Sequence, residues 1–281
     1  MRFNVMGSFE IIDDHGKVHS PGMPKVCQTL AVLLTRPGEV AGIDSLILEL
    51  WGDSPPRTAT TTLQTYIYYA RKMFVTEGLV PADRNPLVTC PQGYVLQVDA
   101  DRVDAVVFER LVAEGRAAAE NGELEAALGL LRRALALWRG PVLGSVHAGR
   151  ILKGRIARLE ELRIRALELC VDAEIRLGRH REAVAELREL VAEHPLNEWF
   201  HGQLVSALYR SGRRAEALQA YQDLRRTLRE ELGVDPSAEV QRLYHELLAP
   251  DRSGRPPADR PVVRSAHRTT VPPPRLPVCT P

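Results

Sequence analysis

Aromatic residues supply only 5% of the 281-residue chain, and cysteine occurs four times, at Cys27, Cys90, Cys170 and Cys279. No two of these form a CxxC pair, so neither a zinc knuckle nor a disulfide framework is predicted, and the isolated thiols fit a reducing cytoplasm. No run of about 18 apolar residues occurs, which argues against a membrane-spanning helix. The first ten residues, MRFNVMGSFE, lack the apolar stretch of a secretion signal. Excess charge is missing too: 37 basic against 36 acidic residues leave a formal charge of +1. A charged partner must therefore be met by a local patch.

Catalytic signatures are equally scarce. Gly144 to Ile151, GSVHAGRI, has the glycine spacing of a phosphate-binding loop. It lacks the lysine and the Ser/Thr that would meet phosphate and magnesium, and no apolar strand precedes it. His245 opens HELL without the second histidine of a zinc-protease helix, and His15 and His19 read as solvated side chains across a turn. The chain is predicted to be no enzyme and to need no cofactor or metal.

What is present divides by period. Phe3, Val5, Phe9 and Ile11 alternate as in a half-buried strand, Asp13 to Gly16 reads as a turn, and Lys17 to His19 can return as a second strand. Val26, Leu30, Leu33 and Leu34 then fall at helical spacing after Pro24. A short second helix with Leu46, Ile47, Leu50 and Trp51 inward can be capped by Asp44. In TATTTLQTYIYYARKMF, Thr58 to Phe74, the strand reading gives no clean apolar face. The helical reading aligns Leu63, Tyr66, Ile67, Ala70 and Phe74 in one stripe. Thr58 or Thr60 can cap this third helix. Asn85 to Asp99 reads as a hairpin around Pro91-Gln92-Gly93.

On the third helix, Thr61, Thr65, Tyr68 and Lys72 lie opposite the apolar stripe, flanked by Tyr69 and Arg71. From Ser54 to Thr76 there are three cations, Arg57, Arg71 and Lys72, and no carboxylate. Cations neutralise DNA phosphates, hydroxyls bond phosphate oxygens or base edges, and threonine methyls can touch thymine methyls. The helix with its adjoining hairpin therefore points to DNA, against the plainer reading of a polar solvent face.

From about Asp101 the composition turns to Ala, Leu, Glu and Arg and stays helical to Leu248. Segments beginning at Gly122, Gly178 and Gly212 repeat a glycine, a charged turn and an Ala-Leu or Ala-Val pair, the pattern of tetratricopeptide-type helix pairs. Tyr209, Tyr221, Trp199 and Phe200 read as core. The tail from Pro250 is rich in proline and arginine and is expected to be disordered.

The order of segments resembles the Streptomyces antibiotic regulatory protein family of transcriptional activators. The carriers are PKVCQTLAVLLTRPGEV from Pro24, LWGDSPPRTATTTLQTYIYYARKMF from Leu50, LVTCPQGYVLQVD from Leu87, VDAVVFERLVAEGRAA from Val103, ALALWRGPVLGSV from Ala134, ARLEELRIRALE from Ala157 and ELGVDPSAEVQRLYHELL from Glu231. The resemblance implies a mainly α fold with a small β component. An OmpR-like winged helix-turn-helix domain, residues 1–99, precedes an all-α, tetratricopeptide-like bacterial transcriptional activation domain, residues 101–249, with a disordered tail at 250–281. Because the chain stops soon after the helical region, it resembles the short members without an ATPase domain.

The resemblance also assigns roles. Thr61, Thr62, Thr65, Tyr68, Tyr69, Arg71 and Lys72 would be DNA contacts of the recognition helix, with Thr89 and Gln92 on the wing. Gly52, Asp53, Ser54, Pro55, Pro56 and Arg57 would form a loop that touches polymerase. Implied partners are double-stranded promoter DNA with direct repeats near the −35 element, RNA polymerase with its sigma factor, and a second copy of the chain in a homodimer, in the cytoplasm at the nucleoid and without membrane contact. The wing tip carries no arginine, and the reading face relies on Thr and Tyr, so A·T-rich or shape-based readout is expected over guanine reading by Arg. The alternative is an interaction adaptor whose helical repeats bind protein while the winged fold serves only as a docking module.

Overall fold

The computed structural model describes residues 1–249, and the tail expected at 250–281 lies outside the described residues. The fold is mainly helical with two small sheets, as expected. Its compact units are Met1–Gly178 and the described residues from Arg179 onward.

The first unit opens with an antiparallel sheet of β1 (Arg2–Asn4), β2 (Glu10–Ile12) and β3 (Val18–His19), in that order. Phe3 and Ile11 are buried partners in its register. The alternation from Phe3 to Ile11 predicted one strand, whereas the chain forms two. After Asn4 the N–H groups of Val5 and Met6 are taken by the buried Asp104 carboxylate, at 2.8 and 3.1 Å, and the chain turns back.

Three helices follow: α1 (Pro24–Leu34), α2 (Ile43–Trp51) and α3 (Ala59–Thr76). The second sheet has the order β4 (Ala41–Gly42), β6 (Gly93–Leu96), β5 (Leu87–Cys90). Asp44 does not cap α2. The ladder from Ala41 and Gly42 to β6 makes Gly42 the cap, two residues earlier, and Asp44 stands exposed in the first turn. A side chain at Gly93 would meet the Ala41 carbonyl at 2.0 Å, so only glycine permits this ladder.

α4 (Asp104–Glu120) and α5 (Leu124–Leu135) form a hairpin through Gly122, at φ +84°, and pack on α6 (Arg150–Arg176). One hydrophobic core joins Phe3, Leu63, Ile67, Phe108, Leu131 and Leu159. The segment after α5 runs beside the amino terminus: Arg139 N–H donates to the Met6 carbonyl (2.9 Å) and Leu143 N–H to that of Val5 (2.8 Å). Asp104 also accepts from Arg139 at 2.9 Å. The winged part and the first three helices of the helical region are thus one body.

The second unit contains α7 (His180–Glu193), α8 (Glu198–Arg210), α9 (Arg214–Leu232) and α10 (Ala238–Leu248). Gly178 and Gly212, at φ +77° and +78°, supply the left-handed turns that the repeated glycine foreshadowed. The Asn197 side chain caps α8 by accepting from Trp199 and Phe200 N–H. Phe200 and Tyr221 are core residues, Trp199 and Tyr209 are half-buried, and Tyr221 stacks on Tyr244 at 4.0 Å. Among the described residues no helix is long and apolar enough to cross a membrane; Cys27 and Cys90 are free thiols, and Cys170 is buried. Cys279 lies outside the described residues.

Candidate nucleic-acid interface

α3 is an 18-residue helix, about 27 Å long at 1.5 Å per residue. Ala59, Leu63, Ile67, Ala70 and Phe74 are its buried stripe, and Phe74 meets Phe3 edge to face at 6.4 Å. Half-buried Tyr66 stacks on Trp51 of α2 at 6.1 Å, which fixes the angle between the two helices. The helix cap is Thr58, through its backbone only, and neither candidate threonine hydroxyl closes the first turn.

Burying that stripe turns the opposite face outward. Thr61, Thr65, Tyr68, Tyr69 and Lys72 are exposed together, Tyr68 by 58%, and Thr62 is half-buried at the edge. The rings of Tyr68 and Tyr69 lie edge to face at 5.6 Å, forming one aromatic step on the surface. The Thr65 hydroxyl donates to the Thr61 carbonyl at 3.0 Å. Its proton is engaged within the helix, so a base edge would find an acceptor oxygen and a methyl group there.

Arg71 turns toward the wing instead of outward. Its Nε–H donates to the Leu87 carbonyl and Nη2 to the Thr89 hydroxyl, both at 2.8 Å, while Asn85 Nδ2 donates to the Arg71 carbonyl at 3.0 Å. Three of its five N–H donors are left for another acceptor. Thr89 and Gln92 are exposed on the wing, and the Gln92 carbonyl accepts from Ile43 N–H at the start of α2. Lys72 has no acidic partner among the described residues. Gly52, Asp53, Ser54, Pro55, Pro56 and Arg57 are all exposed between α2 and α3.

Two anchors hold this face, and both escaped the sequence reading. His19, expected to be solvated, is buried at 5% exposure, with Nε2 3.1 Å from Asp13 Oδ2 and Nδ1 3.1 Å from Glu77 Oε2. Glu77 is the C-cap of α3, so the first sheet grips the end of that helix. The hydrogen bond to His19 is the main cause holding the Asp13 carboxyl down at about 2. The signal was the strand phase of His19, whose ladder partner is buried Ile11.

The other anchor is Glu49 of α2, 2% exposed. Its carboxylate accepts from Gly149 and Ile151 N–H at 2.6 Å each and from Leu152 N–H at 3.4 Å, capping α6. Gln28 Nε2 donates to the Glu49 carbonyl at 2.8 Å. Lys25, whose pKa burial pushes down while Glu49 holds it up, reaches the Leu50 carbonyl. The GSVHAGRI segment, with its phosphate-loop spacing, thus ends at a helix N-terminus that does hold an anion, supplied by the chain itself. The signal missed for Glu49 was its place on the same helical stripe as Leu46 and Leu50.

Residues 103–248 match the family described as bacterial transcriptional activator domain. Regulatory protein DnrI of Streptomyces peucetius is 42% identical over 255 residues, covering 89% of this chain and 93% of that protein. Regulatory protein AfsR of Streptomyces griseus is 37% identical over 93% of this chain but 26% of its own, so the chain spans about a quarter of that longer relative. The solved structure of Mycobacterium tuberculosis EmbR in complex with a low-affinity phosphopeptide superposes with a TM-score of 0.79 at 32% identity. That match covers 88% of this chain and 64% of EmbR, just under two thirds of its length.

Proposed function

The chain belongs to the Streptomyces antibiotic regulatory protein family of transcriptional regulators, and from that premise we propose that it binds promoter DNA through α3 and the β5–β6 wing and retains RNA polymerase there. The observation that carries this is the exposed, carboxylate-free stripe of Thr61, Thr65, Tyr68, Tyr69 and Lys72. Lys72 neutralises a phosphate, the hydroxyls and the tyrosine pair face base edges or sugar, and Arg71 with Thr89 holds the wing beside the same groove. Residues 1–99 act as the winged-helix reader and 101–249 as the activation region. The reader engages direct repeats near the −35 element as a homodimer at the nucleoid, and the loop Gly52–Arg57 meets polymerase and its sigma factor. Activation is differential binding: polymerase gains contacts only where the protein already sits. The genes served are a secondary-metabolite cluster.

The test is footprinting of the full chain on the DNA flanking its own gene, with runoff transcription alongside. Protected direct repeats and stimulated transcription are expected, and salt-insensitive, sequence-blind binding overturns the reading. A fragment ending at residue 100 would be a poor substitute, because it lacks Asp104 and Ser145, which hold Val5, Met6 and Phe9.

One observation favours a second reading. A cleft of about 300 Å³ between α7, α8 and α9 has apolar Val191, Leu204, Leu208 and Ala220 in its lining, with Arg188 and Glu216 paired at 2.6 Å. An adaptor would use this cleft for a peptide and would show no sequence-selective DNA binding.

A further inference from the structure

The longest carboxylate-free stretch of the chain is not at α3. Residues 126–159 hold seven Arg or Lys residues and no Asp or Glu. Four of the seven are engaged inside the first unit: Arg132 with Glu174, Arg139 with Asp104, and Arg155 and Arg158 with Glu109. Arg133 stands on α5. Arg150 and Lys153, at the start of α6, are exposed and have no acidic partner among the described residues. Surface arginines elsewhere in the helical region are commonly ion-paired, as Arg110 is with Asp101 and Arg165 with Glu168. Two adjacent free cations one turn apart are therefore unusual in this molecule.

Their position is fixed. Arg150 lies between Gly149 and Ile151, whose N–H groups are the two 2.6 Å donors to Glu49. The start of α6 is consequently tied to the last two turns of α2. Across this side of the first unit β5 packs on α3, α3 on α2, and α2 on α6. The wing strand β5 thus adjoins α3, and α6 adjoins α2. Packed helices are about 8–10 Å apart, so α6 lies within about 20 Å of α3. A duplex seated with α3 in its major groove, about 12 Å wide, presents a phosphate strand on each side. One strand falls to the wing; the other passes α2 within reach of long cationic side chains on α6.

We propose that Arg150 and Lys153 contact DNA phosphates on the side of α3 away from the wing, so that the activation region itself forms part of the DNA-binding surface. This rests on the DNA-binding reading of α3 given above. The fork of Arg150 suits a phosphate oxygen pair, and Lys153 adds a point charge one turn on. The buried Glu49 cap turns two flexible surface cations into a site of fixed placement relative to the reader.

The experiment uses the full chain and a labelled duplex recovered by selection from a random library, with a scrambled duplex of equal length. The double variant Arg150→Gln/Lys153→Gln is compared with Lys72→Ala and with the charge-keeping Arg150→Lys/Lys153→Arg. Each lost phosphate contact lowers the slope of log K against log salt by about 0.9, so the double neutralisation is expected to lower it by about 1.8 on both duplexes. The charge-keeping variant restores most of it, and a hydroxyl-radical footprint loses protection at one edge only. A wild-type slope in the double variant, while Lys72→Ala is shallower, overturns this proposal and leaves the α3 reading intact. The same slope with weakened runoff transcription also overturns it, assigning the cations to a protein partner. Failure of the parent chain to bind any duplex overturns the α3 reading, and this proposal with it. Matching thermal melts of all variants exclude misfolding, and the two single neutralisations, each expected to remove about 0.9, serve if the double one is unstable.

Discussion

Arg71 on α3 donates a 2.8 Å hydrogen bond to the hydroxyl of Thr89 on the first wing strand. With its second bond to the Leu87 carbonyl, it ties α3 to the β5–β6 hairpin. Hydrogen bonds from a charged donor contribute about 1.5–3 kcal/mol each. Because water competes for the exposed Thr89 bond, Arg71→Ala should lower unfolding free energy by the value of the Leu87 bond alone, about 2 kcal/mol in urea titrations. The salt slope of DNA binding should change by less than for Lys72→Ala. An Arg71 variant of unaltered stability would mean that the residue serves DNA alone.

Lys72 and Thr65 should separate in kind. Lys72→Ala is expected to weaken every duplex alike and to reduce the salt slope by about 0.9, one phosphate's worth. Thr65→Ala should leave that slope alone and reorder preference among sites, at about 1 kcal/mol per affected base pair. Competition binding across a library of single-base variants reads both.

Removing the Glu49 carboxylate leaves three N–H groups at the start of α6 without their acceptor. Glu49→Ala should cost at least about 2 kcal/mol, since a single buried donor without a partner costs about 1–3. Gly149→Ala should act on the same joint, because a Cβ there would fall 2.3 Å from the Glu49 carbonyl oxygen. Chemical denaturation measures both, and an unperturbed midpoint in either would show that α6 can leave α2 without loss.

Acid should loosen the grip on the end of α3. Asp13 has its carboxyl lowered from 3.8 to about 2, chiefly by His19, so the folded state favours its ionised form. That contribution is complete above a pH of about 4 and disappears as pH falls toward about 2. The melting temperature of the parent chain should therefore fall more steeply across this window than that of Asp13→Asn. Parallel curves would show that Asp13 does not sense the fold.

Much of this was legible from periodicity. Leu63, Ile67, Ala70 and Phe74 declared α3 against the β-propensity of its threonines and tyrosines, because a helix buries that stripe and a strand cannot. Gly122, Gly178 and Gly212 marked turns whose positive φ angles the structure carries. What stayed hidden were polar residues whose partners lie far along the chain. His19 and Asp104 look like surface residues until Glu77 and the Val5 and Met6 amides are brought to them. The direction of Arg71 was equally invisible, since helical phase gives the angle of a side chain but not its nearest acceptor. The joint between reader and helical region was missed for the same reason: it depends on Glu49 meeting residues about a hundred positions later.

That separation has a consequence for synthesis. The set of amides that Glu49 holds is complete only once Leu152 has been added to the growing polypeptide. Until synthesis passes Asp104, the groups that brace α2 and the amino-terminal strands are still unmade. A message cut short by a premature stop near residue 100 would therefore yield a weakly braced remnant, exposed to proteolysis before it could act.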